Sequence, residues 1–131
     1  MKKKFTSQRA YVPGDSVSQV TIKGNMAFIS GQISFDPVSG QYINDDMASQ
    51  TRRVLINIQS LLEDMGLTMD DVMACNISIA SMADFEAMDS VYKTFFGTKC
   101  PPARKTVVAG IWDNMRVEIA AIAVADHPID V

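Results

Sequence analysis

The chain has 131 residues, a formal net charge of −3 at pH 7, and 47% hydrophobic and 21% charged residues. This is the composition of a globular protein, and it excludes disorder over most of the chain. One histidine and two cysteines make a histidine-based catalytic triad or a zinc site of three or four thiolates hard to build in one chain. We expect a single domain over residues 1–131 that needs no disulfide or metal to fold.

The N-terminus is basic but lacks the apolar stretch that follows the basic residues of a signal peptide. Lys2, Lys3 and Lys4 lead into polar residues and a Pro-Gly-Asp turn at 13–15. The longest strongly apolar run, residues 119–125, is too short to cross a bilayer. We therefore expect a cytoplasmic protein with no membrane partner, and we interpret the lysines as a solvated end rather than a nucleic-acid-binding arm.

A β-hairpin is predicted next. Residues 18–22 alternate polar and apolar side chains, and residues 26–34 form a second strand-like run. Gly24 and Asn25, between the two runs, tolerate the positive φ angles that a tight turn requires. Residues 36–40 are rich in turn-forming residue types and predict a loop.

A long amphipathic helix is predicted over about residues 46–65. Its apolar residues recur at spacings of three and four, which places them in one stripe on the helix surface. Asp46 is one of its N-cap candidates, and Gly66 is well placed as the residue that ends it.

The second half of the chain predicts three strands and one more helix. Residues 72–80 alternate as a half-buried strand does, and a helix follows over residues 83–96 until the two prolines at 101–102 block it. Residues 103–111 and 116–125 predict two further strands. The last of these is almost entirely apolar, which is typical of a strand that is buried on both faces.

This order of elements predicts an α+β fold, a mixed β-sheet with two helices packed on one face. Whether a short extra strand precedes the hairpin, near residues 3–6, is left open by the pattern. Two helices cover only one face of a sheet, yet the strand at 116–125 carries apolar side chains on both faces. Association through the open face is the simplest solution, so we expect a homo-oligomer.

Two charged residues are candidates for chemistry. Arg104 follows two rigid prolines and opens a strand, and a guanidinium can hold a carboxylate through two parallel hydrogen bonds. Glu118 stands near the start of the apolar strand, where a carboxylate can act as a general acid or base. Taken alone, the spacing also fits a surface arginine at a strand edge, and a strand-end glutamate that faces solvent or pairs with Arg116.

Weaker signals come from the hairpin and the second helix. Gly31, after Ser30 at the end of a strand, permits close approach of a ligand to the backbone, or else marks a β-bulge. Tyr92 belongs to an aromatic repeat on one helix face, which is typical of helix packing, although we keep it as a candidate for substrate contact.

Four runs of the chain, taken together, resemble the motifs of the reactive intermediate deaminases, also called the Rid or YjgF family. They are residues 24–33, residues 89–96, Pro-Ala-Arg at 102–104, and residues 117–123. The resemblance extends over about residues 10–124 in the family's order, and the C-terminal motif is the most specific. Relatives also carry the labels endoribonuclease L-PSP and translation initiation inhibitor.

The resemblance implies a chorismate-mutase-like fold and a homotrimer with active sites in the clefts between subunits. It implies hydrolysis of 2-imino acids such as 2-iminobutanoate and 2-iminopropanoate, or of 2-aminoacrylate-type enamines, to 2-keto acids and ammonia, with no cofactor. Arg104 would bind the substrate carboxylate, Glu118 would orient or activate water, and Ser30 and Gly31 would line the pocket. Because an imine is already electrophilic, its hydrolysis needs only a positioned substrate and a correctly oriented water molecule, and no histidine is required.

Three pocket positions depart from the family pattern. Val17 stands where active members commonly carry a tyrosine, Asp89 where they often carry an asparagine, and Thr106 where they often carry a cysteine. Asp89 would repel an anionic substrate if it faced the cleft. The loop between Arg104 and Glu118 is also one residue shorter than usual. We therefore expect that Arg104 still anchors the substrate carboxylate but that the rest of the pocket is altered. The substrate would then be larger or different, or the activity would be low.

Other functions stay open at this point. The same trimer could bind a small carboxylate as a regulatory module without turning it over. A ribonuclease is disfavoured because the chain is acidic, has no basic face and carries its one histidine, His127, near the C-terminus. A chorismate mutase is disfavoured because its dicarboxylate substrate needs more cations than Arg104.

Overall fold

The computed structural model describes residues 1–131 as eight β-strands and two α-helices. In chain order they are β1 (Lys3–Phe5), β2 (Val20–Lys23), β3 (Met26–Gln32), β4 (Phe35–Asp36), β5 (Gln41–Tyr42), α1 (Met47–Asp64), β6 (Val72–Ile79), α2 (Phe85–Phe96), β7 (Ala103–Val108) and β8 (Val117–Val124).

Six of the strands form one mixed sheet in the order β1-β2-β3-β8-β6-β7, and β4 pairs with β5 in a separate small hairpin. All neighbours in the large sheet are antiparallel except β6 and β7, which are parallel. The parallel pair follows from the chain path, because α2 forms the crossover between the two strands. The predicted α+β fold and the β2–β3 hairpin are confirmed, and the short first strand is present.

Helix α1 agrees with the pattern that predicted it. The Asp46 side chain accepts a hydrogen bond from the Ser49 backbone N–H and so caps the N-terminus. Gly66 follows the C-cap with a φ of 78°, a left-handed conformation that glycine adopts without strain. Most of the apolar stripe is buried, with Leu55 and Leu61 at 0% exposure, and Ala48 in the first turn is half-buried.

The helices cover one face of the sheet, and the other face is partly open. Along β8, Val117, Ile119, Ala121 and Ala123 are buried, whereas the residues between them are half-buried. The expectation that this strand is buried on both faces therefore holds for only one face of the single chain. The open face keeps Phe28 and Val107 41% exposed.

Several boundaries differ from the predicted ones, and the differences lie at turns. The strand expected over 103–111 ends at Val108, and the helix expected from 83 begins at Phe85 after a short 3-10 turn, Met82–Asp84. The loop expected at 36–40 is the connection of the small β4–β5 hairpin. No helix of this protein is both long enough and apolar enough to span a membrane.

Candidate functional site

Glu118 lies in a pocket where β8 runs beside β3. The ladder between these strands is interrupted between Ile29 and Gln32, and this β-bulge brings Gly31 against the glutamate side chain. A Cβ atom on Gly31 would lie 2.8 Å from the Glu118 carboxyl carbon. Only glycine leaves this space free, so the Glu118 side chain can pack against the backbone at position 31.

The Glu118 carboxylate makes no hydrogen bond or ion pair within the chain, although the residue is half-buried. The simpler interpretation of pairing with Arg116 does not hold, because the Arg116 guanidinium instead reaches Asp84, at 3.3 Å. A half-buried and unpaired carboxylate is free to accept a proton from a ligand or a water molecule.

The pocket around Glu118 has a volume of about 280 Å³ and combines polar with aromatic walls. Ser30, Gly31 and Val17 line it as the sequence suggested, with Val17 50% exposed. The Ser30 hydroxyl donates a hydrogen bond to the Ser18 carbonyl oxygen at 2.6 Å, which turns that side chain back toward the protein.

A buried glutamine holds the N-terminal side of this pocket. Gln19 is 2% exposed, and its amide donates to the carbonyl oxygens of Ser7 and Tyr11 while its side-chain oxygen accepts from the Ser7 N–H. The Gln19 carbonyl oxygen also accepts from the Ser30 N–H at 3.0 Å. Every polar atom of the Gln19 side chain is thus used to tie the segment before β2 to the pocket wall.

Arg104 lies elsewhere, in a cleft of about 350 Å³ between β7 and the C-terminal end of α2. Its Nη1 donates to Asp89 Oδ1 at 2.7 Å, and its guanidinium carbon lies 4.8 Å from the centre of the Tyr92 ring and 5.5 Å from that of Phe85. The cation is therefore held by one hydrogen bond and by stacking on aromatic faces.

Asp89 belongs to a small charge network in this cleft. Besides Arg104, it contacts Lys93 Nζ at 3.5 Å. The hydrogen bond from Arg104 holds the pKa of Asp89 below its ordinary value, against the opposing effect of burial. Two cations and one carboxylate leave the cleft with a net positive charge, so Asp89 orients Arg104 but does not cancel the attraction for an anion.

Tyr92 contacts the Arg104 guanidinium, whereas Thr106 lies on the same strand as Arg104, outside the cleft. Tyr92 is buried, with its ring under the guanidinium, and burial raises the pKa of its hydroxyl, which has no hydrogen-bond acceptor. It lines the cleft through that ring. Thr106 lies two residues along β7, half-buried, and does not line the cleft.

The structure does not bring Arg104 and Glu118 together within one chain. Arg104 pairs in register with buried Cys75, so it lies on the helix-covered face, whereas Glu118 pairs with Ser78 on the open face. Strand β6 separates their strands, which places them about 10 Å apart across the sheet and about 10 Å apart along it.

Three aromatic residues of the Glu118 pocket were missed by the sequence analysis: Tyr11, Tyr42 and Trp112. They come from three separate loops or short strands, so no local spacing connects them. The only local signal was Trp112-Asp113-Asn114, where the turn residues Asp113 and Asn114 adopt positive φ angles of 56° and 53° and leave the indole 72% exposed.

The fold and the site thus define an α+β protein that holds a free carboxylate in one pocket and an aromatic-stacked arginine in a separate cleft. The family model described as Endoribonuclease L-PSP matches residues 7–125. The chain belongs to this family, which is the Rid family that the four sequence motifs indicated.

Known relatives cover nearly the whole chain. A RutC family protein of Pyrococcus horikoshii is 36% identical over 123 residues, which are 94% of this chain and 98% of the relative. The 2-iminobutanoate/2-iminopropanoate deaminase of Bos taurus is 34% identical over 107 residues, 82% of this chain and 78% of the relative. The crystal structure of E. coli TdcF with bound serine matches with a TM-score of 0.87 and 31% identity, over 95% of this chain and 99% of that one.

Proposed function

We propose that the protein hydrolyses 2-imino acids, or the enamines that tautomerise to them, to 2-keto acids and ammonia. The observation that carries the proposal is the unpaired, half-buried Glu118 carboxylate against Gly31, in a pocket that also offers Ser30. Such imines are reactive by-products of amino-acid chemistry, so the role would be protective.

The proposed reaction needs one cation and one carboxylate. Arg104 binds the substrate carboxylate with the guanidinium N–H groups that Asp89 leaves free. Glu118 accepts a proton from a water molecule as its oxygen bonds to the C=N carbon, and the nitrogen takes up a proton to give a tetrahedral amino alcohol. Glu118, having passed its first proton to that nitrogen, then takes the hydroxyl proton and transfers it to the amino group. The C–N bond breaks, ammonia leaves with the C–N electron pair, and the C–O bond becomes the keto C=O.

We further propose that each site joins Arg104 of one subunit with Glu118 of the next in a homotrimer. Two features support this arrangement: the separation of the two residues within one chain, and the apolar side chains that the open sheet face leaves exposed. An interface that covers Phe28 and Val107 would remove this apolar surface from water.

Two relatives support the substrate class. The bovine relative carries the name 2-iminobutanoate/2-iminopropanoate deaminase, and the E. coli neighbour is described with bound serine, which has the carboxylate and the α-nitrogen of a 2-imino acid. Both are compatible with an anchor for the carboxylate and a polar group near the α-nitrogen.

One observation favours a second candidate, a trimer that binds small carboxylates without turnover. Asp89 already occupies one N–H of Arg104, so a substrate carboxylate has fewer donors available than in a site with a neutral residue at this position. In that case keto acids would bind, and imines would decay at the rate seen in buffer.

The test is a hydrolysis assay with freshly generated imines. An amino-acid dehydratase acting on threonine or serine supplies 2-iminobutanoate or 2-iminopropanoate, and the keto acid formed is followed with and without the protein. We expect a clear acceleration, which Arg104→Ala lowers by about 10²-fold in kcat/KM and Glu118→Gln by about 10²–10⁴-fold.

Two matched variants control for charge and for folding. Arg52 and Glu86 are exposed and make no ion pair, so Arg52→Ala and Glu86→Gln remove the same charges outside both clefts and leave the rate unchanged. Imine decay that the intact protein does not accelerate would rule out the enzyme. Saturable keto-acid binding in that case would establish the carboxylate-binding alternative.

A further inference from the structure

Three aromatic side chains line the Glu118 pocket, and the proposed hydrolysis assigns no role to them. They are Tyr11, Tyr42 and Trp112, defined here as the aromatic wall. The hydrolysis needs only the carboxylate anchor, the Glu118 carboxylate and water, so the reaction itself gives no reason for three exposed or half-exposed rings at this position.

Two rings of the aromatic wall are fixed in place. Tyr11 packs against Phe35 and Tyr42 with centroid separations of 5.4 and 5.8 Å, and Phe35 packs on Tyr42 at 5.4 Å. The hydrogen bond from the Gln19 amide to the Tyr11 carbonyl oxygen also holds the Tyr11 backbone. These rings therefore form a preorganised surface and lose little freedom when a ligand packs on them.

The third ring is presented by a tight turn. Met115 N–H donates to the Trp112 carbonyl oxygen, and the two residues between them adopt left-handed backbone angles. Trp112 remains 72% exposed, although it borders the pocket. A large indole left in water beside a catalytic candidate has much to gain from an apolar ligand.

We propose that the aromatic wall binds the side chain of the substrate and that the preferred substrates are 2-imino acids with aromatic side chains. This inference rests on the proposed hydrolysis and names its substrate class. A pocket of about 280 Å³ is far larger than a methyl or ethyl side chain fills. A phenyl ring would meet the edges and faces of the wall, an arrangement that aromatic groups favour.

The position of Glu118 agrees with this orientation. Glu118 and the rings line one pocket, so a ligand whose imine carbon lies at the carboxylate has its side chain within that same pocket. Val17, which has a smaller side chain than the three rings, also lines this pocket.

The kinetic test compares two imines in one assay. An amino-acid oxidase with catalase generates the imine of phenylalanine or of 2-aminobutyrate, and semicarbazide traps whatever the protein has not hydrolysed. We expect the wild-type protein to prefer the phenylalanine imine by about tenfold in kcat/KM. Trp112→Ala and Tyr11→Ala should each lower that preference ratio about three- to tenfold.

Met82→Ala is the matched control, because Met82 is 67% exposed and lies outside the pocket, and it should leave the ratio unchanged. A wild-type preference for the smaller imine, or a ratio that neither aromatic variant changes, overturns the inference while the hydrolysis stands. Failure to accelerate either imine overturns the proposed hydrolysis instead.

A binding experiment tests the wall independently of turnover. Trp112 is the only tryptophan in the chain, so its fluorescence, excited where a phenyl ring does not absorb, reports on this pocket alone. We expect 3-phenylpropanoate to change the emission and to bind about tenfold more tightly than butanoate, and Tyr11→Ala to weaken that difference. Equal affinity for the two carboxylates, or no change in emission at saturation, would contradict an aromatic side-chain site.

Discussion

The Arg104 guanidinium is held in place by Asp89 and Tyr92, yet it can still bind an anion. An exposed or half-exposed ion pair such as Arg104–Asp89 contributes about 0.2–1 kcal/mol. A substrate carboxylate that forms two charge-assisted hydrogen bonds with the same guanidinium can compete with that pair. Stacking on Tyr92 fixes the plane of the cation and leaves the in-plane N–H groups free. Asp89 lines the cleft, as the expectation of repulsion required, but its hydrogen bond to Arg104 also fits a positioning role in the proposed reaction.

Gly31 offers the sharpest test at the residue scale. In Gly31→Ala, the new Cβ would lie 2.8 Å from the Glu118 carboxyl carbon, so the carboxylate has to move. The side chain is flexible, so the fold should survive, but a carboxylate displaced by about 1 Å can cost about 10²-fold in rate. We expect kcat/KM for imine hydrolysis to fall by that order, with the thermal midpoint nearly unchanged.

Gly110→Ala controls for this experiment, since no atom lies within 4 Å of its added Cβ and its φ is not positive. It should leave both the rate and the thermal midpoint unchanged. If Gly31→Ala hydrolyses imines as fast as the wild type, then the placement of Glu118 against the bulge does not matter for the reaction.

At the scale of elements, one buried glutamine connects α1 to the strand that carries Glu118. Gln50 is 0% exposed, and its amide donates to Asn44 Oδ1 and to the Asp45 carbonyl oxygen. Its side-chain oxygen accepts from the Arg116 N–H at 2.9 Å, two residues before Glu118. Helix α1 is thereby fixed both to its own N-terminal loop and to the entry of β8.

Removing this connection should destabilise the protein measurably. Gln50→Ala leaves the Arg116 N–H and the Asp45 carbonyl oxygen without their partners, and we expect a loss of about 1–3 kcal/mol in the free energy of unfolding. Urea denaturation measures it. Gln59 lies on the same helix and its side chain makes no hydrogen bond in this protein, so Gln59→Ala should change the free energy of unfolding by no more than about 0.5 kcal/mol. Equal losses in both variants would show that helix propensity, rather than the connection, is responsible.

The elements that could be predicted from the sequence are those whose hydrophobic pattern repeats over many residues. The eighteen residues of α1 repeat their apolar stripe over five turns, and β6 alternates buried with less buried residues from Cys75 to Ile79, so each pattern identifies its element. Strands β4 and β5 have two residues each, which is too few to show a period. Their pairing depends on the Phe35–Tyr42 contact, which no local pattern reveals.

The residues of the candidate site also fall into two groups, those within a local sequence motif and those that only the tertiary fold brings together. Arg104, Glu118 and Gly31 lie inside contiguous motifs and could be selected from the sequence. The aromatic wall could not be, because its members are separated by 31 and 70 positions and meet only through the tertiary fold. The distance between Arg104 and Glu118 likewise follows from strand order and strand face, which the motifs do not encode.

At the scale of the whole molecule, the open sheet face determines how the proposed sites are completed. Along β8 the half-buried residues alternate with the core residues, and Phe28 pairs across the sheet with Ile122 on that open face. A sheet face of this kind is stable in water when another subunit covers it. Glu118 lies on the same strand and face, so an interface there would place it near a neighbouring chain.

Mixing two inactive variants tests this arrangement directly. In the proposed reaction Arg104→Ala lacks the carboxylate anchor and Glu118→Gln lacks the base, so each variant alone should be almost inactive. If every site takes Arg104 from one subunit and Glu118 from the next, co-refolding equal amounts of the two variants should restore roughly a quarter of the wild-type activity, because a random cyclic trimer gives each site both intact residues with that frequency.

The measurement is imine hydrolysis before and after co-refolding, with the subunit number determined by light scattering. Refolding either variant with itself is the control and should restore nothing. A mixture as inactive as its components, with mixed trimers demonstrated by mass spectrometry, would mean that both residues of each site come from the same subunit.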